Sequence, residues 1–263
     1  MRDHTFTFMG TGAGCGVPAF FCDCPACEEA RANPAVRRGD CGAMVTGTSR
    51  TLIDTPPDLR AYLDREGVRA VDDLLFTHWH YDHVGGLGEL EYMVQLLTKQ
   101  PLPTYGSPYT LASIGREFEY MMYCLDATEV HEFDTVVLDG VRYTALPVTH
   151  APGTYGYLIE TDDTSLFYAS DTGALPPATA ERLQGVDILA MDATYWKRNE
   201  YPQSHHSVQE CIEEGLALDA GKIYLTHLCM HYAEPVTLAQ LNDYLQQYGG
   251  RVEAAADGLS FPI

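Results

Sequence analysis

Four side chains able to bind a metal fall within six residues: His78, His80, Asp82 and His83, in the run Thr-His-Trp-His-Tyr-Asp-His-Val-Gly-Gly at 77–86. Imidazole and carboxylate are ligands suited to zinc, iron or manganese. A lone surface histidine carries no such message. Donors packed this tightly are costly to hold together without a cation to neutralise the carboxylate and use the imidazole lone pairs. A second set of donors is sulfur. Cys22, Cys24 and Cys27 stand in Cys-Asp-Cys-Pro-Ala-Cys, a spacing too tight for an all-disulfide framework. Thiolates in this pattern suit tetrahedral zinc, which needs a fourth ligand from elsewhere. A redox or free-thiol role is the competing reading. Cys15, Cys41, Cys124, Cys211 and Cys229 are scattered, and buried thiols are the expectation for them.

The elements that must position these groups can be read from apolar runs. The His78–His83 run leaves a buried strand ending at 74–76 and precedes an apolar-periodic helix over 87–97. Three more ligand-type residues each close an apolar strand: His150 after 141–148, Asp171 after 166–169, and His227 after 223–225. Donors at four strand ends describe a site along one edge of a sheet sandwich. Seven such ligands suffice for two divalent ions, with a bridging carboxylate and positions left open for water. Further strands are expected at 5–9, 43–45, 51–54, 102–105, 135–138, 155–160, 188–191 and 252–255. Helices are expected at 57–66, from 108, and at 177–183, 208–218 and 236–248. This order predicts an α+β fold: two sheets face to face with helices outside, as one domain over 1–263 with a cysteine loop at about 15–31.

Bulk properties exclude several functions. The formal charge of −21 repels polyanions, which argues against nucleic acid as partner. A small anion still binds where metal ions reverse the local potential. No apolar run reaches the length of a membrane span, and the N-terminus lacks the apolar core of a signal peptide, so cytoplasmic residence is expected. The glycine-rich segment Gly10-Thr-Gly12-Ala-Gly14-Cys-Gly16 fails both the dinucleotide fingerprint and the P-loop pattern. It reads as a tight turn beside a site. No Gly-x-Ser-x-Gly elbow is present.

The His78-x-His80-x-Asp82-His83 run, followed by His150, Asp171 and His227, resembles the metallo-β-lactamase superfamily, over nearly the whole chain. Within it, Gly10-Thr-Gly12, Gly16-Val17-Pro18, Cys22-x-Cys24-x-x-Cys27, Leu52-Ile53-Asp54, Gly156-Tyr157 and Ser170-Asp171-Thr172-Gly173 resemble the PhnP-type phosphoribosyl cyclic phosphodiesterases of the carbon–phosphorus lyase pathway. The resemblance implies an αβ/βα sandwich. It implies that His78, His80 and His150 hold one active-site ion and that Asp82, His83 and His227 hold the other, with Asp171 bridging. The ions would be Zn2+ or Mn2+. A structural Zn2+ would bind Cys22, Cys24, Cys27 and a histidine, for which His231 fits and Cys229 competes. The catalytic residues would be Asp82 and His205. His205 is the general acid on this reading, because imidazole exchanges protons near neutral pH. His206 is its competitor, and Ser204 or Ser207 could cap a helix here instead. The implied reaction is attack of a hydroxide on a small phosphodiester such as phosphoribosyl 1,2-cyclic phosphate, in a homodimer. Alternatives are a ribonuclease Z-like nuclease, a lactonase or thioesterase, and a non-catalytic zinc protein resembling protein B of pyrroloquinoline quinone biosynthesis.

Overall fold

The computed structural model describes residues 4–231 and 234–263. Fourteen strands among the described residues form two seven-stranded sheets. The first sheet holds β1 (Thr5–Gly10), β2 (Gly42–Thr46), β3 (Arg50–Ile53), β4 (Asp73–Leu75), β5 (Leu102–Gly106), β6 (Leu125–Glu129) and β14 (Ser260–Pro262), in the order β14-β1-β2-β3-β4-β5-β6. The second holds β7 (Thr135–Leu138), β8 (Val141–Pro147), β9 (Tyr155–Glu160), β10 (Ser165–Ala169), β11 (Ile188–Asp192), β12 (Lys222–Thr226) and β13 (Val252–Ala254), in the order β13-β12-β11-β10-β9-β8-β7.

Three apolar cores explain the layering. Between the sheets, Phe6, Phe8, Tyr143, Tyr157 and Tyr168 pack together. Outside the second sheet, Phe167, Met191 and Leu225 meet Cys211 and Ile212 of α5 (Val208–Ala217) and Leu241 of α6 (Leu238–Leu245). Outside the first, Leu52 and Leu74 meet Leu59 of α2 (Leu59–Arg65) and Leu87 and Leu90 of α4 (Leu87–Met93). Neighbouring residues of β10 thus enter opposite cores, Phe167 outward and Tyr168 inward. A strand covered on both faces is apolar on both, which is why the buried parts of β10 and β11 read as continuous apolar runs.

The strand directions create the site's edge. β8 and β9 are antiparallel, as are β9 and β10, while β10, β11 and β12 are parallel. The C-terminal ends of β8, β10, β11 and β12 therefore lie on one edge of the second sheet. β3 and β4 run parallel in the first sheet, so their C-terminal ends share an edge too.

Four elements differ from expectation. The cysteine loop contains a helix, α1 (Pro25–Ala32), with Pro25 in its first turn, Glu28 acidic near its start and Arg31 basic near its end. Strands β6 and β14 were not expected. In β6 only Leu125 is buried, so no alternating pattern marks it. The helix expected over 87–97 changes at Val94 into a π-helical turn ending at Thr98.

Candidate metal centre

Every one of the seven expected ligands reaches the same place. His78 follows β4, His80 is the N-cap of α3 (Tyr81–Val84), and Asp82 and His83 lie within that short helix. His150 follows β8, Asp171 follows β10, and His227 follows β12 directly. Donor atoms of His78, His80 and His150 lie within 4.8 Å of one another, as do those of His78, His83 and Asp171. His150 Nε2 is 3.2 Å from His80 Nδ1. Asp171 stands between two groups: its Oδ2 is 3.0 Å from His83 Nε2, and its Oδ1 is 3.2 Å from His227 Nε2 and 3.9 Å from His150 Nε2. Asp82 Oδ2 lies 3.5 Å from His83 Nε2 and 3.7 Å from His227 Nε2.

The ring tautomers follow from what holds each outer nitrogen. His150 Nδ1 lies 2.8 Å from the Ser204 carbonyl, which can only accept. His83 Nδ1 lies 2.9 Å from the Asp54 carboxylate, also an acceptor. Thr77 Oγ1 donates to Asp54 Oδ2 (2.7 Å), so its lone pair accepts from His78 Nδ1 at 3.0 Å. Thr194 Oγ1 donates to Asp192 Oδ1 (2.7 Å), so it accepts from His227 Nδ1 at 2.8 Å. All four rings therefore carry hydrogen on Nδ1 and turn Nε2 inward. Outer partners of this kind fix ring orientation and raise ligand basicity.

Those inward atoms test whether a metal fits. His78 Nε2, His83 Nε2, His227 Nε2 and Asp171 Oδ2 are buried and make no hydrogen bond. A buried orphan polar atom costs about 1–3 kcal/mol. Two divalent cations bound to imidazole and carboxylate would satisfy all of them, and the donor set suits zinc or manganese.

Electrostatics agree. Burial, and then the neighbouring His83, push His78 well below the ordinary histidine range. His80 is lowered by burial and by His150. Burial opposes charge on His83 and His227, but the Asp171 and Asp82 carboxylates outweigh it, holding His83 well up and His227 at about 9. Burial likewise works against Asp82 and Asp171, yet the same histidines keep both carboxylates ionised. A metal ion takes the place of those histidine protons on binding.

A beta-lactamase superfamily domain model matches residues 49–228, the span from β3 to just past His227. The chain belongs to the metallo-β-lactamase superfamily. The crystal structure of a diphosphatase from the PhnP family has a TM-score of 0.86 to it at 29% identity, covering 100% of this chain and 98% of that one. Ribonuclease Z of Mycobacterium sp. (strain KMS) is 28% identical over 246 residues, which covers 80% of this chain and 84% of the relative. Zn(2+)-bound PqqB from Methylobacterium extorquens shares the fold, with a TM-score of 0.81 at 21% identity over 98% of this chain and 100% of that one.

Compared with the superfamily's ligand set, this chain's site holds two residues that its sequence reading gave no role. Asp54 accepts from Thr77 N (2.8 Å), Thr77 Oγ1 and His83. Asp192, the last residue of β11, accepts from Thr172 N (3.0 Å), Thr194 N (2.8 Å), Thr194 Oγ1 and His205 Nδ1 (2.7 Å). Both could have been found as carboxylates closing apolar strands, the pattern that picked out Asp171. Asp54 and His227 have φ of +65° and +54°. Such left-handed backbone is costly for non-glycine residues and bends the chain sharply at the strand ends.

The two adjacent histidines separate cleanly. His205 lies at the centre, its ring stacked on His227 (5.3 Å between centroids, 9° between planes) and 4.9 Å from His150. His206 points elsewhere: Nδ1 donates to the Thr172 carbonyl (2.8 Å) and Nε2 lies 2.8 Å from Glu214 Oε2. Ser207, not Ser204, caps α5 through a reciprocal capping box with Glu210.

The sulfur donors also gather. The Cys24 backbone N–H is the largest influence lowering the Cys22 thiol, and the Cys22, Cys24 and Cys27 side chains interact with one another. Burial pushes the Cys27 thiol up to about 12. Donor atoms of Cys22, Cys27 and His231 lie within 4.8 Å of one another, as do those of Cys15, Cys229 and His231. Among the described residues no helix is long and apolar enough to cross a membrane.

Proposed function

We propose that this superfamily member is a dinuclear metal-dependent phosphodiesterase that opens a small cyclic phosphate. His78, His80 and His150 would hold one ion, Asp82, His83 and His227 the other, with Asp171 shared. Two such ions lower the pKa of water and neutralise charge on phosphoryl oxygens. The observation that carries the reading is His205, held at the centre by Asp192. Asp192 Oδ2 binds His205 Nδ1 at 2.7 Å, which commits that nitrogen and leaves Nε2 to exchange a proton. A purely structural zinc protein has no need of an oriented imidazole beside its metal ligands. In the proposed reaction His205 Nε2–H protonates the departing sugar oxygen, and Asp192 stabilises the ring throughout. Cleavage of a ring ester leaves both halves of the substrate joined, so the product is a single phosphomonoester. A structural Zn2+ on Cys22, Cys24, Cys27 and His231 completes the assignment.

A second reading has its own support. The full-length likeness to a PhnP-family diphosphatase favours a small diphosphate as substrate. The same acid and ions would serve it. The charge of −21 speaks against a tRNA substrate despite the ribonuclease Z relative. One preparation, loaded with Mn2+ or Zn2+, should be offered ribose cyclic phosphates, small diphosphates and lactones. Turnover of the cyclic phosphate, abolished by Asp171→Ala, is the expected result. Turnover of lactones alone would overturn the proposal, and turnover of diphosphates alone would select the second reading.

A further inference from the structure

A tetrahedral thiolate site needs four donors. This chain brings six to one place: Cys15, Cys22, Cys24, Cys27, Cys229 and His231. They fall into two sets. Cys22, Cys24 and Cys27 make one set, and Cys15 and Cys229 the other. His231 is common to both, with Cys15 Sγ 3.2 Å from its Nε2.

We propose that Cys15 and Cys229 hold a second thiolate-bound ion beside the Cys22–Cys24–Cys27 site, making a two-ion sulfur cluster around His231. Two tetrahedral ions need eight coordination positions. Five thiolates and one imidazole fill them when two thiolates bridge. Zinc–sulfur bonds of about 2.3 Å place ligand sulfurs roughly 3.8 Å apart. In each trio the donor atoms lie within 4.8 Å of one another. The soft ions suited to such a pocket are zinc, cadmium or copper(I).

The backbone shows why these two cysteines meet. Gly12 pairs with Leu228 in a parallel bridge, and Leu228 N donates to Thr11 O at 2.9 Å. That register sets the Cys15 loop beside Cys229. Cys229 N donates in turn to Thr194 O at 3.2 Å. Ordinary packing of a buried thiol explains Cys41 or Cys211, which lie in the core. It does not explain Cys15, half-buried between two glycines and facing an imidazole. The cluster adjoins the active centre. Cys229 and His231 follow His227 closely in the chain, and a Cβ on Gly14 would stand 2.7 Å from Asp82 Oδ2. The second ion would tie the loop behind Asp82 to the segment behind His227.

The test is cadmium NMR on the whole protein loaded with 113Cd. Sulfur-ligated cadmium resonates far from cadmium held by nitrogen and oxygen, so the cluster is counted apart from the active centre. Two sulfur-ligated signals are expected in the wild type and one in the Cys15→Ser/Cys229→Ser double variant. A single sulfur-ligated signal in the wild type would overturn the proposal, whether or not the double variant shifts it. Should the variant fail to fold, the wild-type count still decides.

Discussion

The active centre and the sulfur cluster stand four residues apart, His227 to His231, yet they are built in opposite ways. At the centre, donors project from strand ends, and the outer nitrogens of His78, His83, His150 and His227 are tied to protein acceptors. The cluster's donors lie on loops and at one helix start. Cys24 is the N-cap of α1 without a side-chain capping bond. The Cys22, Cys24 and Cys27 side chains contact one another, and Cys15 Sγ faces His231. The difference teaches that strand ends and outer hydrogen bonds hold the first site in shape without ions, whereas the loops of the second are expected to loosen when its ions leave.

The sharpest way to press this contrast is at His205. His205→Ala should lower turnover of a cyclic ribose phosphate by roughly a hundred- to ten-thousandfold, as expected for loss of a general acid. With p-nitrophenolate as leaving group, which departs without a proton, the loss should be small. Equal losses on both substrates would show that His205 positions rather than protonates. Next comes the preformed shell. Asp54→Asn should cost about 10–100-fold in metal affinity or activity, read by metal titration, because His83 loses its orienting carboxylate. An unchanged affinity would mean that the strand ends alone shape the centre.

Chelation separates the two regions directly. After metal removal, hydrogen exchange should accelerate at 13–16 and 228–231 by about tenfold or more, while Thr77 and Thr194 stay protected. Equal loosening at both sites would erase the contrast. The smallest effect is expected at His206. His206→Ala removes bonds to Thr172 O and Glu214 and should cost about 1–3 kcal/mol of stability in denaturant unfolding, with turnover retained. A large loss of turnover would return His206 to the catalytic role.

How far these sites could be read beforehand depended on what the sequence marks. His150, Asp171 and His227 were legible because each ends an apolar run, and an apolar run buried on both faces is hard to mistake. Strand β6 was not, since four of its five side chains face solvent. α1 was hidden by the cysteines, though Pro25, Glu28 and Arg31 follow helix rules. Asp54 and Asp192 were visible as residues but not as partners of imidazoles, because the histidines they hold lie 29 and 13 positions away. Choosing between His205 and His206 needed the backbone, which sends adjacent side chains to different neighbours. The approach of Cys15 to Cys229 spans the chain and follows from the Gly12–Leu228 bridge.

The central claim is that water activated by the ions attacks phosphorus while His205 protonates the departing oxygen. Hydrolysis of a ribose cyclic phosphate in 18O water by the metal-loaded protein tests it most directly. One 18O atom on the product's phosphate is the predicted result. Label on the sugar carbon, or no turnover by fully loaded protein, would contradict it.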